Sequence, residues 1–288
     1  MEKEKQIIIN GLGESTAKSY AGSYMRLRRL LNLTDKRKPI RNTPLNEVLG
    51  AVLAVENPST SYSVFVITKK LFDYERNKKQ FDDADMLIKE RKRTIQVEKN
   101  INLKQTLPTY LNIESAIKKE TDPVTYITSY IMFYCNTRNM DIALADLHAS
   151  KKSDYDKDRN HLVIDGKNVL FIRNVYKTSK KYGVKENIIQ NKKFYQFVKE
   201  LLGNDDIVKL YSRKDGTNLT KSSIASYLKH KVVLNLNEGL IIKAVIQYAN
   251  EKGSYDMLRT ISQNRGTGVN ILLSEYDVSN IKPPTLII

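Results

Sequence analysis

Over the first hundred positions, apolar residues recur at three- and four-residue spacing. Tyr20, Tyr24, Leu27 and Leu31 fall on one face of a helix that Ser15 or Thr16 can cap, with Lys18, Arg26, Arg28 and Arg29 on its other faces. Leu45, Val48, Leu49 and Val52 predict a second helix, and Asn57-Pro58 opens a third carrying Val64, Phe65, Ile67, Leu71, Phe72 and Tyr74. A fourth, strongly charged helix is expected around 81–97. The helical period is lost between Asn100 and Pro108, so 1–99 reads as a small helical domain and 100–109 as a linker.

Helical spacing returns at 113–119. It returns again behind an Asp122-Pro123 start at 124–134, where Ile127, Tyr130, Ile131 and Tyr134 face a core. Residues 136–138 are a break, after which Asp141, Ile142, Leu144 and Leu147 resume helical spacing. Composition then changes. Residues 161–176 have strand composition around an Asp165-Gly166 turn, and 184–189 supply a third strand. A small antiparallel sheet follows, with a hairpin carrying Lys177, Lys180 and Lys181 at its tip. Helices are expected again at 194–202, 222–229 and 240–250. Near the end, Leu258 and Ile261 lie on one helix, residues 265–268 break it, and Val269, Leu272, Leu273 and Tyr276 share a face of the next. The expected fold class is mainly α with a small antiparallel β-sheet, in two domains, 1–99 and 110–276, followed by a tail, 277–288.

Charge sharpens this outline. Lys and Arg number 48 against 32 Asp and Glu, a net charge of +16 over 288 residues, which favours a polyanionic partner at modest salt. A lysine-rich solvated surface is the plainer reading. The residues placed to meet a duplex backbone are Lys18, Arg26, Arg28, Arg29, Arg37, Lys38, Arg41, Lys69 and Lys70. The single Cys135 excludes an internal disulfide, and the first residues hold no apolar signal core. No run approaches the roughly 18 apolar residues of a membrane span, so a reducing intracellular compartment, cytoplasmic or nuclear, is expected. Asp154, Asp156, Asp158 and Asn160 alternate as in a calcium loop, but Arg159 stands where glycine is required. His148, His161 and His230 are scattered and make no zinc pattern. No metal or cofactor is expected.

Taken together, these features resemble the tyrosine recombinase (phage integrase) family over most of the chain. They are a basic helical domain, a linker, a helical domain with an inserted sheet, an arginine after a break, a lysine on a hairpin and a late tyrosine. The run Cys135, Asn136, Thr137, Arg138 with Asp141 is similar to the family's arginine box. The resemblance implies that Arg138 contacts the scissile phosphate and that Asp141 helps hold it. It further implies that Lys177 protonates the leaving 5′ oxygen, and that Arg265, Gly266 and Thr267 precede the nucleophile Tyr276. Such a phenol needs cations around it, because attack on a phosphodiester gathers negative charge in the transition state.

Two departures stand out. Where the family carries His-x-x-Arg, this chain has Leu240 to Lys243, and Thr267 occupies the place of the usual second histidine. Lysine binds phosphate as a point charge and lacks the two-pronged fork of arginine, which leaves Arg265 to supply a second guanidinium. The implied activity is site-specific cleavage and rejoining of double-stranded DNA through a 3′-phosphotyrosine, with tetramers on paired sites, as in mobile elements and large DNA viruses. The alternatives are a type IB-like topoisomerase and a catalytically impaired DNA-binding protein. Plainer roles exist for each residue. Arg138 could pair with Asp141 on a surface, Lys177 could belong to a solvated tip, and Lys243 could snorkel from a buried helix. Tyr276 competes with Tyr248 and Tyr255 among 17 tyrosines.

Overall fold

The computed structural model describes residues 2–35, 37–152, 154–211, 217, 221–228 and 230–276. Lys36, Lys229 and the tail 277–288, with its apolar end Leu286, Ile287 and Ile288, lie outside the described residues. Backbone contacts divide the chain into two units whose boundary falls between Ile101 and Asn102.

The first unit is helical: α1 (Glu2–Ile9), α2 (Glu14–Leu30), α3 (Leu45–Leu53), α4 (Pro58–Leu71) and the start of α5 (Lys78–Thr106). Its core joins Ile8, Tyr24, Leu27, Val48, Val52, Val64, Phe65 and Phe81, with Phe65 and Phe81 packed edge to face at 6.0 Å. The helix α1 was not foreseen, since half of its residues are charged and its isoleucines are adjacent, with no helical spacing. It is fixed by the buried Glu4, whose carboxylate accepts from the Tyr24 hydroxyl (3.0 Å) and from the backbone of Ile40 and Arg41 (3.0 Å each). Asn57 caps α4 through Thr60 N–H, as the Asn-Pro pair predicts. Gly13, with no side-chain cap, precedes α2, so Ser15 and Thr16 lie inside the first turn and cap nothing.

Two other expectations for this region are corrected. The helix α5 runs to Thr106, so most of the segment read as linker is helical. That stretch lacks an apolar stripe, but it also lacks any glycine or proline before Pro108, and nothing in it stops a helix. Arg28 is 2% exposed and turned inward. Its guanidinium donates to the carbonyls of Lys38 (2.8 Å), Leu33 (3.1 Å) and Asp35 (2.6 Å), which closes the loop after α2 and leaves nothing for a duplex. Of the other basic candidates, Lys18, Arg26, Arg29, Arg37, Lys38, Arg41 and Lys70 are exposed and Lys69 is half-buried. The Lys69 ammonium lies 4.1 Å from the centre of the Tyr74 ring, and that of Lys70 5.5 Å from the Tyr20 ring.

The second unit begins with α6 (Tyr110–Lys119), α7 (Pro123–Tyr134) and the short α8 (Asn139–Ala143). A five-stranded sheet follows, made of β1 (Ala145–His148), β2 (Asn160–Asp165), β3 (Asn168–Arg173), β4 (Lys185–Ile189) and β5 (Ile207–Lys209), in the order β4-β3-β2-β1-β5. The one-turn α9 (Ser179–Tyr182) lies between β3 and β4, and α10 (Lys192–Leu202) precedes β5. The chain then forms α11 (Lys221–Leu228), α12 (Glu238–Glu251), α13 (Tyr255–Arg265) and α14 (Val269–Tyr276).

The expected three-stranded antiparallel sheet is therefore part of a mixed one, because β1 pairs β2 in parallel. Leu147, assigned to a helix by spacing, is in β1. That strand is four residues long and buried throughout, so it shows no alternation to betray it. Alternation does sort β2 and β3. Leu162, Val169 and Phe171 face the main core with Ile127, Ile131, Ile241 and Val245. Val163, Leu170 and Ile172 form a small second cluster with Tyr155 on the opposite face. No helix among the described residues is long and apolar enough to cross a membrane.

Candidate active site

The break after α7 is held open by an ion pair between a buried arginine and a partly buried glutamate. Asn136 takes a left-handed conformation (φ 53°), and the next carbonyls turn inward. Arg265, at the last turn of α13 and 2% exposed, donates from Nη1 to the carbonyls of Asn136 (3.4 Å) and Thr137 (3.3 Å) and from Nη2 to Glu238 (2.7 Å). The other Glu238 oxygen accepts from the Asn139 N–H at 2.8 Å. Arg265 and the first turn of α12 thus fix the loop that presents Arg138. Both terminal nitrogens of Arg265 thus bond the protein, while its Nε is buried with no partner among the described residues. Cys135, at the start of the break, is buried, and burial pushes its thiol up to about 12, so it is inert as a nucleophile.

Beneath Arg138 lies a second buried pair that sequence reasoning missed. The Asp141 carboxylate accepts from the backbone N–H of Arg138 (3.4 Å) and from Nη1 of Arg173 (3.4 Å), and both acidic and basic side chains are shut off from solvent. Arg173 also donates to the Asn264 carbonyl (3.0 Å) and to Asn187 on β4 (3.0 Å). Burial raises the Asp141 carboxyl above its ordinary range, against the opposing pull of Arg173. A signal for Arg173 was present: Val169 and Phe171 define the core face of β3, and residue 173 continues that alternation with a charge. A buried charge on a core face requires a partner.

Arg138 itself is half-buried. Its Nη2 donates to the Thr267 hydroxyl at 3.1 Å, while its Nη1 is shielded from solvent with no partner among the described residues. Burial first, then the neighbouring Arg265, lowers its pKa, opposed by Asp141, Glu238 and Tyr276. Arginine stays charged under such pressure, so the site holds a cation with an unused donor, which an anion would satisfy. Thr267 accepts from Arg138, which leaves its own O–H free to donate to the same anion. Tyr276 ends α14 half-buried, with the Arg265 guanidinium carbon 5.6 Å from its ring centre. The other two candidate tyrosines are placed elsewhere: Tyr248 is stacked on Tyr110 at 4.2 Å, and Tyr255 is 66% exposed.

The turn carrying Lys177 also reaches this site. Gly266 caps α13 in the left-handed conformation (φ 59°), and a β-carbon built there would overlap the Thr178 hydroxyl. Gly266→Ala is therefore expected to lower Tm and to weaken any activity of the site, since it combines a strained backbone with a collision; thermal melts beside cleavage assays check this. Lys177 is exposed. A second lysine, unforeseen, is better enclosed. Lys185 opens β4 opposite Arg173, its ammonium donates to the Gln263 carbonyl, and it lies 4.9 Å from the Tyr176 ring centre. Burial, then Arg173 and then Arg138 lower its pKa, with Asp141 opposing. Lys243 is half-buried on α12.

The structure thus brings Arg138, Asp141, Arg265, Thr267 and Tyr276 together and adds Arg173, Lys185 and Glu238. No family model and no curated protein matches this chain. Among solved structures it is similar to that of XerA recombinase over 97% of this chain and 94% of that one. The identity is 12% and the TM-score 0.37, a likeness too slight to carry an activity from one protein to the other.

Proposed function

We propose that this protein cleaves and rejoins strands of double-stranded DNA, with Tyr276 as nucleophile and Arg138 holding the scissile phosphate. The observation that carries this reading is the unpartnered, enclosed Nη1 of Arg138 beside Thr267, in electrostatic reach of Tyr276. Tyr276 gives its proton to solvent as its oxygen attacks phosphorus, and the bond to the 5′ oxygen breaks to leave a 3′-phosphotyrosine. Arg138 and the Thr267 hydroxyl stabilise the equatorial charge, while Asp141 and Arg265 hold the Arg138 loop. A 5′ hydroxyl then reverses the step, so no nucleotide cofactor is consumed. Exchange between paired sites, in tetramers, makes the protein a site-specific recombinase. Reversal without exchange makes it a topoisomerase.

Lysine protonates the leaving oxygen, and Lys185 fits that task better than Lys177 because it is half-buried, where Lys177 is exposed, and stands opposite Arg173. A lysine with a lowered pKa gives up its proton more readily. It also limits the reaction at high pH, because the donor is lost as pH rises through that lowered pKa. The cleavage rate should therefore fall below the ordinary lysine range of about 10.4. Lys185→Ala should slow cleavage by about 100- to 10,000-fold, and a 5′-thiol leaving group, which needs no proton, should restore most of the rate. Rescue of Lys177→Ala in place of Lys185→Ala would return the role to the hairpin turn.

A second reading, a DNA-binding protein without catalysis, is favoured by one observation: Arg265 bonds Glu238, which holds its terminal nitrogens away from the role of a second phosphate clamp. Nicked duplexes that trap covalent adduct separate the two. Both readings require phosphate contacts by the basic helical unit. If about six to ten phosphates are neutralised, affinity should fall by about a thousand-fold or more between roughly 50 and 200 mM salt. Fluorescence anisotropy at a series of salt concentrations checks this, and a flat response removes DNA as the partner.

A further inference from the structure

The histidines that look scattered in sequence meet in space. Asp146 and His148 are two apart on β1 and so share a face of the sheet, and His161 on β2 is the register partner of Asp146. This is the face opposite the main core, and Tyr155 packs edge-on to the His148 ring at 5.3 Å and against the His161 ring at 5.0 Å. All three residues are buried, and their ligand atoms lie within 4.8 Å of one another. Nε2 of His148 and Nδ1 of His161 face each other at 2.9 Å.

Hydrogen bonding fixes the tautomers of the neutral pair. Nε2 of His161 lies 2.8 Å from the Asp156 carbonyl, which only accepts, so that nitrogen carries the proton and Nδ1 has the lone pair. His148 must then donate from Nε2, which leaves its Nδ1 as a buried nitrogen with no partner among the described residues. The outer contacts are those of a ligand set. A metal-bound histidine typically donates its other N–H to a carbonyl, as His161 does, and a ligating carboxylate is held by a further donor. Arg159 holds Asp146 through Nη2 at 2.6 Å and through Nε.

We propose that Asp146, His148 and His161 bind a divalent transition-metal ion of borderline softness, of which zinc is the representative. Two imidazoles and one carboxylate suit zinc, cobalt or nickel, and do not suit calcium or magnesium, which take oxygen ligands. The ion takes the place of the proton shared between the rings, and that proton moves to Nδ1 of His148, so the histidine stays neutral. The site joins β1 to β2, and Asn160, next to His161, donates to the Asp141 carbonyl. Metal binding therefore stiffens the sheet from which Arg173 projects.

The test is titration of the chelator-treated full chain with zinc and cobalt by calorimetry, with Tm recorded beside it. One ion per chain is expected, with a zinc-dependent rise in Tm that a chelator reverses. His148→Ala and His161→Ala should each weaken binding by more than the roughly 10- to 100-fold that loss of an outer contact costs, whereas His230→Ala, at an exposed position, should bind as the parent does. Should either ligand variant fail to fold, cobalt-shifted NMR signals of the unaltered protein decide the question: they should be those of His148 and His161. Absence of stoichiometric binding, an unchanged Tm, or strongest shifts centred on residues other than Asp146, His148 and His161 overturns the proposal.

Discussion

Tyr276→Phe should abolish the covalent, protease-sensitive protein–DNA adduct expected of the proposed reaction and leave duplex affinity nearly unchanged. The substitution removes only the oxygen that attacks phosphorus. The ring that packs against the core and faces Arg265 at 5.6 Å is retained, so the fold has no reason to change. Denaturing gels of trapped nicked duplexes read the first effect and anisotropy the second. Adduct that persists moves the nucleophile to another of the 17 tyrosines. Tyr248, stacked on Tyr110, and Tyr255, far more exposed than Tyr276, are poorly placed to inherit the role.

Arg138→Ala should reduce the cleavage rate by at least about 100- to 1,000-fold, the usual cost of losing one donor to a transition-state oxyanion. Its effect on folding should be small, since among the described residues the Arg138 side chain bonds Thr267 alone and Nη1 has no partner. Arg265→Ala should behave in the opposite way. It leaves one Glu238 oxygen and two carbonyls without their donor, so the loss should appear first in Tm. Arg138→Lys keeps the charge but loses the fork and should recover only part of the rate. Thermal melts beside single-turnover cleavage separate a residue that holds the phosphate from one that holds the loop. Equal losses of Tm in both variants would contradict the division of roles.

What the sequence made legible was set by how local its physics is. Asn57-Pro58 and Asp122-Pro123 announce helix starts because cap and helix are adjacent, and both caps form. The break before Arg138 and the turn at Gly266 could be read for the same reason. Strand β1 could not, since a short, fully buried strand has no period. Long-range pairings were also hidden. Arg28 looked like a surface cation until the loop after α2 folded back over it, and the bond from Arg265 to Glu238, 27 residues away in sequence, could not be read from either residue. Arg173 could have been found, because its place on the core face of β3 follows from alternation. Its partner Asp141 was picked out through the resemblance, without the arginine that neutralises it. The histidine pair is a register effect: only the parallel pairing of β1 with β2 brings His161 beside Asp146.

The central claim is that Tyr276 becomes covalently joined to a DNA 3′ end. Its most direct test incubates the protein with a pool of randomised duplexes carrying single nicks, so that cleavage releases a short 5′ fragment and cannot be reversed. Trapped complexes are digested with protease and nuclease, and the modified peptide is sequenced by mass spectrometry. The account predicts a 3′-nucleotide phosphate on Tyr276, absent when Arg138→Ala protein is used for the same time. A phosphate on any other residue, a linkage to a 5′ end, or bound DNA recovered without adduct would contradict it.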